Sequence, residues 1–530
     1  MEGTSWITDS RFLLQYRLSL VRSAELLKSG WASQSTTGSP IFDAFTSNGT
    51  THSYSPKFMY HGMRYLSVNL TQSPTISSAV GHSIRQAVEK VGEMSSSNEL
   101  FNSIHTIIDR SIQSNLHSTL TDCPHREKLG WLEQDHLMIS PVMWSYDVQA
   151  MLQVPVQDMV DSQQNASSFG DVPSHPGFIP DIAPEFTVFS YPYRDDPNWG
   201  GAIILLPLQH YKEYGDARIL STYYPAMKSY LSYFNSLTTN YTLDYGLRDW
   251  ESLDDCTGKL IPSTFGYQQA VKGMAQVAHY LSFPDDKKLY DDLAIQISTA
   301  LHTASFNSSA GVYDCGSQGA LALALEMGAP PTEEIFAQIL ENLIDSIIND
   351  TYHWSVGEIA LPSLFRVLHE NGYDELLYSL MSQTTSPSYG YQVLNGATSL
   401  WEAWDGTSSS GSSLNHLMFG YGDVWLGQLS GLQQVNFSVA WESINYYPLL
   451  VGNLTSASAS HLTPRGTASA AWTLENDVFH YNITVPIDAK GYVFLPVKDT
   501  EGILGIGSSP FNGSSAPVVV GSGTHYFTVA

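Results

Sequence analysis

The stretch Leu100–His136, "LFNSIHTIIDRSIQSNLHSTLTDCPHREKLGWLEQDH", changes character halfway along. In its first half Leu100, Ile104, Ile108, Ile112 and Leu116 recur at spacing four, the apolar stripe of a helix that lies on a core. Its second half, from Thr121, crowds together Asp122, His125, Arg126, Glu127, Lys128, Glu133, Asp135 and His136, with Cys123 and Trp131 among them. Only 14% of the chain is charged, so this crowding is not the local average. A solvated charged face would explain it. So would a helix that delivers a functional loop.

The helix-then-loop unit repeats along the chain. Leu220, Tyr224, Met227, Leu231 and Phe234 mark one helix face; Thr332 is placed as an N-cap, with Glu333 and Glu334 in the first turn and Ile335, Ile339 and Leu343 following. Similar segments near 137–152, 200–213, 267–282, 286–304, 318–327, 358–370 and 414–431 predict roughly ten to twelve helices. Antiparallel helix pairs joined by loops rich in Gly, Pro, Asp and Trp predict an α/α toroid whose site lies in the funnel at one end. Outside this region the texture differs. The first seventy residues predict one helix over Phe12–Ser29, a Ser/Thr/Gly-rich stretch and a strand in "MRYLSVNL" (Met63–Leu70); the helical pattern starts near Pro74. From Gln434 the pattern has period two, with Phe479, Tyr481, Ile483 and Val485 on one face and turns at "ENDV" and "DAKG", which predicts a closing β-sandwich.

Composition narrows the function classes. The 530 residues suffice for two or three domains with a sizeable core. A net charge of −27 leaves no basic patch for nucleic acid or an anionic membrane, and no apolar run is long enough to span a bilayer. Aromatic residues at 12% suit either stacking against sugar rings or an aromatic core. The N-terminus shows no signal peptide, yet ten Asn-x-Ser/Thr sequons occur, at Asn48, Asn69, Asn165, Asn240, Asn307, Asn349, Asn436, Asn453, Asn482 and Asn512. An extracellular, secreted glycoprotein is the expectation, with a truncated or misassigned start. Cys123, Cys256 and Cys315 are the only cysteines. They offer no zinc spacing, so no metal and no cofactor is expected; a Cys256–Cys315 bridge is possible, and free buried thiols are favoured over it.

Four loops carry the chemistry: the opening one, "GFIPDIAPE" with "YRDDPNWGGA" (Gly177–Glu185, Tyr193–Ala202), "YGLRDWESLDD" (Tyr245–Asp255), and "SYGYQVLNGATSLWEAWDG" (Ser388–Gly406) with His416 soon after. Each combines carboxylates with Trp, and none is a phosphate loop or a nucleophile elbow. Carboxylates beside tryptophans fit glycoside hydrolysis, in which one acid protonates the leaving oxygen and a second carboxylate activates water or attacks the sugar. The plainer explanation for any one Asp is a cap on a helix N-terminus.

"TDCPHREKLGWLEQ" resembles the signature of the glycoside hydrolase family 78 α-L-rhamnosidases. The likeness continues through "KFMYHGMRYLSV", "DDPNWGGAIILLPLQHYKEYGDARILSTYYPAMKSYL", "LRDWESLD", "GATSLWEAWDG", "SLNHLMFG" and the C-terminal "PRGTASAAWTLENDVFHYNITVPIDAKGYVFLP", about residues 56–500. The resemblance implies an (α/α)6 barrel over 74–433 (the six-hairpin glycosidase fold), a C-terminal β-sandwich over 434–530, and over 1–73 the remnant of an N-terminal β-domain. It also implies inverting, exo-acting removal of terminal α-L-rhamnosyl residues from an oligosaccharide or polysaccharide. Carried over by residue, Glu127 falls at the general acid and Glu402 at the general base. Asp122 matches a hydroxyl-binding carboxylate; Arg126, Trp131, Trp250 and His416 match sugar contacts, and Asp249 stands beside Trp250. There are departures. The family's sugar-binding acid three residues after the motif tryptophan is here Gln134, and Glu133 is expected to replace it. "SVGE" brings in Glu358, and "WGGA" puts Gly201 where an acid is usual. Trp199, Trp401 and Trp404 are expected to pack rather than touch ligand, and Arg126 either holds Glu127 or binds a uronate.

Three functions follow: a rhamnosidase acting on plant glycosides or pectic rhamnogalacturonan fragments, a rhamnosyl-uronate lyase using a base such as His125 or a Tyr with an Arg for the uronate, and a non-catalytic carbohydrate-binding homologue. Free rhamnose without an unsaturated uronate would separate the first from the second.

Overall fold

The computed structural model describes residues 5–13, 18–46, 51–70, 75–163, 176–254, 256–406, 411–498, 504–505 and 517–530. Its centre is helical. The inner helices are apolar nearly all round: Gln318–Met327 buries every residue but Glu326, and Leu260–Tyr280 is buried over most of its length. The outer helices bury one stripe, as Glu333–Asn349 does through Ile339, Leu340, Leu343 and Ile347. That contrast is what a double ring requires, because an inner helix is covered on every side and an outer one on a single side. Inner and outer members pair in sequence, Leu260–Tyr280 with Pro284–Ser305 and Gln318–Met327 with Glu333–Asn349. The expected cap is present, with Thr332 Oγ1 accepting from the Ile335 N–H; the structure adds Asn98, which caps Glu99–Asn115, the helix of the opening stretch.

The C-terminal β-domain forms as expected, with one addition. Its larger sheet runs Gly92–Ser96, Ser456–Thr463, Gly466–Glu475, Val478–Val485, Gly523–Val529, all antiparallel. Asn476 and Asp477, both with positive φ, make the tight turn that "ENDV" predicted. A second sheet, Leu432–Gln434, Ser443–Tyr446, Lys490–Val493 and Val518–Val520, packs on the first where Gly491 lies against Val485 and Tyr446. The first strand of the larger sheet comes from far upstream, before the helices begin, and fastens this domain to the barrel. Trp472 adds a second tie, its indole N–H donating to the Leu429 carbonyl.

Three expectations are corrected. The helix over Phe12–Ser29 is instead β structure: Ser5–Leu13 pairs with Thr51–Tyr54, His61–Gly62 and Thr75–Ser83, and Leu18–Ala24 lies between Asp43–Thr46 and Tyr65–Leu70. Val21 and Ser23 face inward while Arg22 faces out, so pairing on both edges overrides a pattern that also fitted a helix. The residues after Pro74 stay extended, as Thr75–Ser83 and Gly92–Ser96, and helices start only at Glu99. Cys256 and Cys315 are joined in a disulfide rather than free; the loop at 256–258 meets the turn at 314–316, where the Gly258 N–H donates to Asp314. Cys123 is a buried free thiol, as expected.

The bridge closes a sequence separation of 59 residues. Replacing both cysteines by alanine is expected to destabilise the fold by about 2–4 kcal/mol, read as a lower urea midpoint.

Candidate active site

The loops that follow or precede the inner helices converge at one mouth of the barrel on a cavity of about 460 Å³. Asp122, Glu127, Glu133, Glu358 and Glu402 supply its acidic wall. Trp131, Phe189, Tyr193, Trp199 and Trp250 supply aromatic surface, and Leu129, Leu247, Met418 and His416 complete the lining. Trp131 stacks on Phe189 at 5.2 Å, and Tyr193 meets Trp250 edge to face.

The opening loop is closed on itself. The Asp122 N–H donates to the Leu129 carbonyl, and Asp122 Oδ1 accepts from the Leu129 N–H at 2.9 Å. Lys128 takes the left-handed conformation that the reversal needs. This ring lifts Glu127 to the rim, where its side chain is 38% exposed and Oε2 accepts from the Trp131 indole N–H at 3.1 Å. Burial, then the Glu127 charge, hold the Asp122 carboxyl well above the usual carboxylate range.

Glu402 is the better-held member of the pair. Arg126 Nη2 donates to its two oxygens at 2.8 and 3.2 Å, and the Ser413 N–H donates to Oε2. The same guanidinium lies 3.6 Å from Glu127 Oε1 through Nε, so one side chain touches both glutamates. Its Nη1 donates to the carbonyls of Thr36 and Gly411. Behind Ser413 stand His125 and Glu25: Ser413 Oγ donates to Glu25 at 3.3 Å and lies 3.2 Å from His125 Nδ1, and the Leu414 N–H donates to Glu25. The N-terminal β layer thus reaches the back of the Glu402 loop.

Of the other predicted residues, the structure brings Trp131, Trp250, Glu133 and His416 to the cavity with Asp122 and the two glutamates; Arg126 and Asp249 are not among its lining residues. Asp249 accepts from the N–H groups of Gly357, Ile359 and Ala360, capping the helix Ala360–Glu370. In "LEQD" only Glu133 lines the cavity; Gln134 donates to it at 2.6 Å. Burial pushes Glu133 up to about 8. His416 is driven down to about 3 by burial and accepts the Met418 N–H on Nδ1, which leaves the ring neutral with its proton on Nε2. Trp404 packs in the core against Trp354 and Phe419, and Trp401 lies away from the cavity; Trp199 is buried but does line it. Sequence reading did not assign Glu358, Phe189, Tyr193 or Leu247. For Glu358 a signal existed, an acid set immediately before an apolar helix.

Residues 89–429 match the family model described as the bacterial α-L-rhamnosidase six-hairpin glycosidase domain, and residues 431–507 match the bacterial α-L-rhamnosidase C-terminal domain. Among curated relatives, an α-L-rhamnosidase of Streptomyces avermitilis is 26% identical over 92% of this chain and 47% of its own length. One of Alteromonas sp. is 28% identical over 84% of this chain and 49% of its own. The chain therefore spans about half the length of these relatives. Among solved structures, the α-L-rhamnosidase from Dictyoglumus thermophilum superposes with a TM-score of 0.88 at 28% identity, covering 99% of this chain and 61% of that one. The one from Aspergillus terreus gives 0.85 at 26%, covering 100% and 61%.

The buried acids set a pH dependence of stability. Burial raises Glu25 and Glu251 to about 7, and Glu133 and Asp135 to about 8. All four titrate near 4 when unfolded. Their stabilisation is complete below that pH and is lost as pH rises through the folded values. His117, His125 and His136, lowered to about 4, and His416 act oppositely, but only below about pH 6.5. Between about pH 6.5 and 8 these carboxyls and His105, which despite its burial is raised beside Asp423, act in the same direction, so Tm is expected to fall as pH rises, by calorimetry at constant ionic strength. A flat or rising Tm there contradicts the burial of neutral acids.

Proposed function

The chain belongs to the bacterial α-L-rhamnosidase six-hairpin glycosidase family, and on that premise we propose that it hydrolyses terminal α-L-rhamnosyl residues with inversion, Glu127 acting as general acid and Glu402 as general base. The observation that carries this reading is the unequal pair of glutamates on one guanidinium. A general acid has to meet the leaving-group oxygen, which departs toward solvent; Glu127 is at the rim, with a single indole N–H on it. A general base has to hold a water against the far side of the ring; Glu402, side chain 12% exposed, is fixed by Arg126 and the Ser413 N–H. An inverting pair stands roughly 6.5–9.5 Å apart so that the water fits between acid and sugar. The aromatic and aliphatic wall suits a 6-deoxy sugar, whose methyl needs no polar partner, while Asp122 and Glu133 face ring hydroxyls.

No observation favours the lyase. It requires an uncommitted arginine for the uronate beside its base; Tyr193 lines the cavity, but Arg126 is taken up by Glu402 and two carbonyls, and His125 is buried against Glu25 and Ser413. The substrates proposed are plant glycosides or pectic rhamnogalacturonan fragments. An extracellular site of action is part of the same proposal. It is supported by the disulfide and by seven sequon asparagines, Asn69, Asn240, Asn307, Asn349, Asn436, Asn453 and Asn482, all exposed; Asn48, Asn165 and Asn512 lie outside the described residues.

Glu127→Gln and Glu402→Gln are each expected to lower kcat on an aryl α-L-rhamnoside by about 10²–10⁴-fold with Tm unchanged within a few degrees. Near-full activity in either variant removes that residue from its role. Proton NMR of the first product is expected to show β-L-rhamnose before mutarotation; the α anomer would exclude inversion.

A further inference from the structure

Glu358 is 1% exposed and lines the cavity, yet its Oε2 meets no hydrogen-bond partner among the described residues. Leaving a buried polar group unsatisfied costs about 1–3 kcal/mol, more for a charged one. Such a group persists where something else completes it.

The chain invests heavily in holding this carboxyl where it is. Asp249 Oδ2 accepts from the Gly357 N–H at 2.8 Å, and Oδ1 accepts from Ile359 and Ala360 at 3.0 Å each. Between them the Glu358 N–H donates to the Trp250 carbonyl at 3.0 Å. The residue before it must be glycine, since a Cβ on Gly357 would stand 2.1 Å from that carbonyl oxygen. Every backbone N–H from Gly357 to Ala360 is therefore tied to the Asp249–Trp250 pair, and the side chain between them is the part left without a partner. Glu133 in the same cavity has the same feature, a buried Oε2 with no partner. Burial, then the Glu133 charge, hold the Glu358 carboxyl well above the usual carboxylate range. The shift favours the protonated form, which can both donate and accept.

We propose that Glu358 reads a ring hydroxyl of the sugar bound in this cavity and is a specificity-determining residue alongside Glu133. The inference rests on the rhamnosidase reading for the identity of the sugar. A hydroxyl satisfies both valences of a carboxylic acid, while an apolar group at that position leaves the acid buried and unpaired. Selection then works by penalty against sugars that lack the hydroxyl.

The test is a cycle between substrate and side chain. The full chain, Glu358→Gln and Glu358→Leu are assayed on an aryl α-L-rhamnoside and on its 2-, 3- and 4-deoxy analogues, and the corresponding free sugars are titrated by calorimetry. In the unmodified protein one deoxy analogue is expected to lose about 10–100-fold in kcat/KM. In Glu358→Leu that ratio is expected to collapse to within about threefold, with Glu358→Gln between the two. A purely structural role would lower all substrates alike and leave the ratio unchanged, and that result overturns the proposal. If Glu358→Leu does not fold, an unchanged ratio in Glu358→Gln overturns it equally. If the unmodified protein hydrolyses nothing but binds rhamnose with a Glu358-dependent hydroxyl preference, the hydrolase reading fails and this inference stands. Without any rhamnose binding, both fail.

Discussion

The Arg126 guanidinium is the point on which the site hangs. It bonds Glu402 from the fourth loop, lies against Glu127 of its own loop, and reaches the carbonyls of Thr36 in the N-terminal β layer and Gly411 beyond the fourth loop. These groups come from regions far apart in sequence, and a planar, permanently charged fork can address them together, which a lysine ammonium could not. The two glutamates proposed for acid and base are thereby referenced to one rigid object rather than to two separate loops. Glu25, Thr36, His125 and Ser413 extend that frame backward, so the first β layer is built into the site and not merely attached to the barrel.

Two pairs of buried acids around the site show how acidic loop residues can either cap helices or face the cavity. Asp196 and Asp249 spend their oxygens on backbone N–H groups at helix starts, Asp196 at Pro197–Gly200 and Asp249 at Ala360–Glu370. Favourable interaction with the helix dipole and capping accounts for both. Glu133 and Glu358 each keep an oxygen that no donor in the described structure reaches, and both line the cavity. Asp135, Asp181 and Asp195 also keep an unpartnered oxygen but lie outside the cavity lining, so it is the combination of the two features that sets Glu133 and Glu358 apart.

Legibility followed the range of the interaction. The stripe Leu100–Leu116, the Thr332 cap and the alternation Phe479–Val485 were readable because each is a local pattern with a local cause. The grouping of Asp122, Glu127, Trp131, Trp250, Glu402 and His416 was readable only through resemblance, since no spacing rule joins Glu127 to Glu402. Arg126 and Asp249, read as sugar contacts, are absent from the cavity lining and spend their polar atoms on protein groups. Both are charged residues adjacent to true lining residues, and adjacency in a loop says little about which way a side chain turns. The N-terminal strands were misread because their apolar residues fit a helical period as well, and the strand partners that decide the matter lie some twenty to fifty residues away.

By itself the sequence determined that a ring of helices with β flanks would form, and that its interior would be apolar and its polar loops acidic and aromatic. Periodicity, caps and turn residues act over a few positions, and a linear chain displays them directly. The tertiary structure alone decided that Cys256 meets Cys315, that Gly92–Ser96 joins a sheet otherwise built from residues beyond 455, that Arg126 holds Glu402, and that Glu358 is left without a partner inside the cavity. Each depends on which distant groups arrive at the same place and which hydrogen bonds are already spent there. Burial and satisfaction of polar groups are properties of the packed molecule, and no single segment carries them.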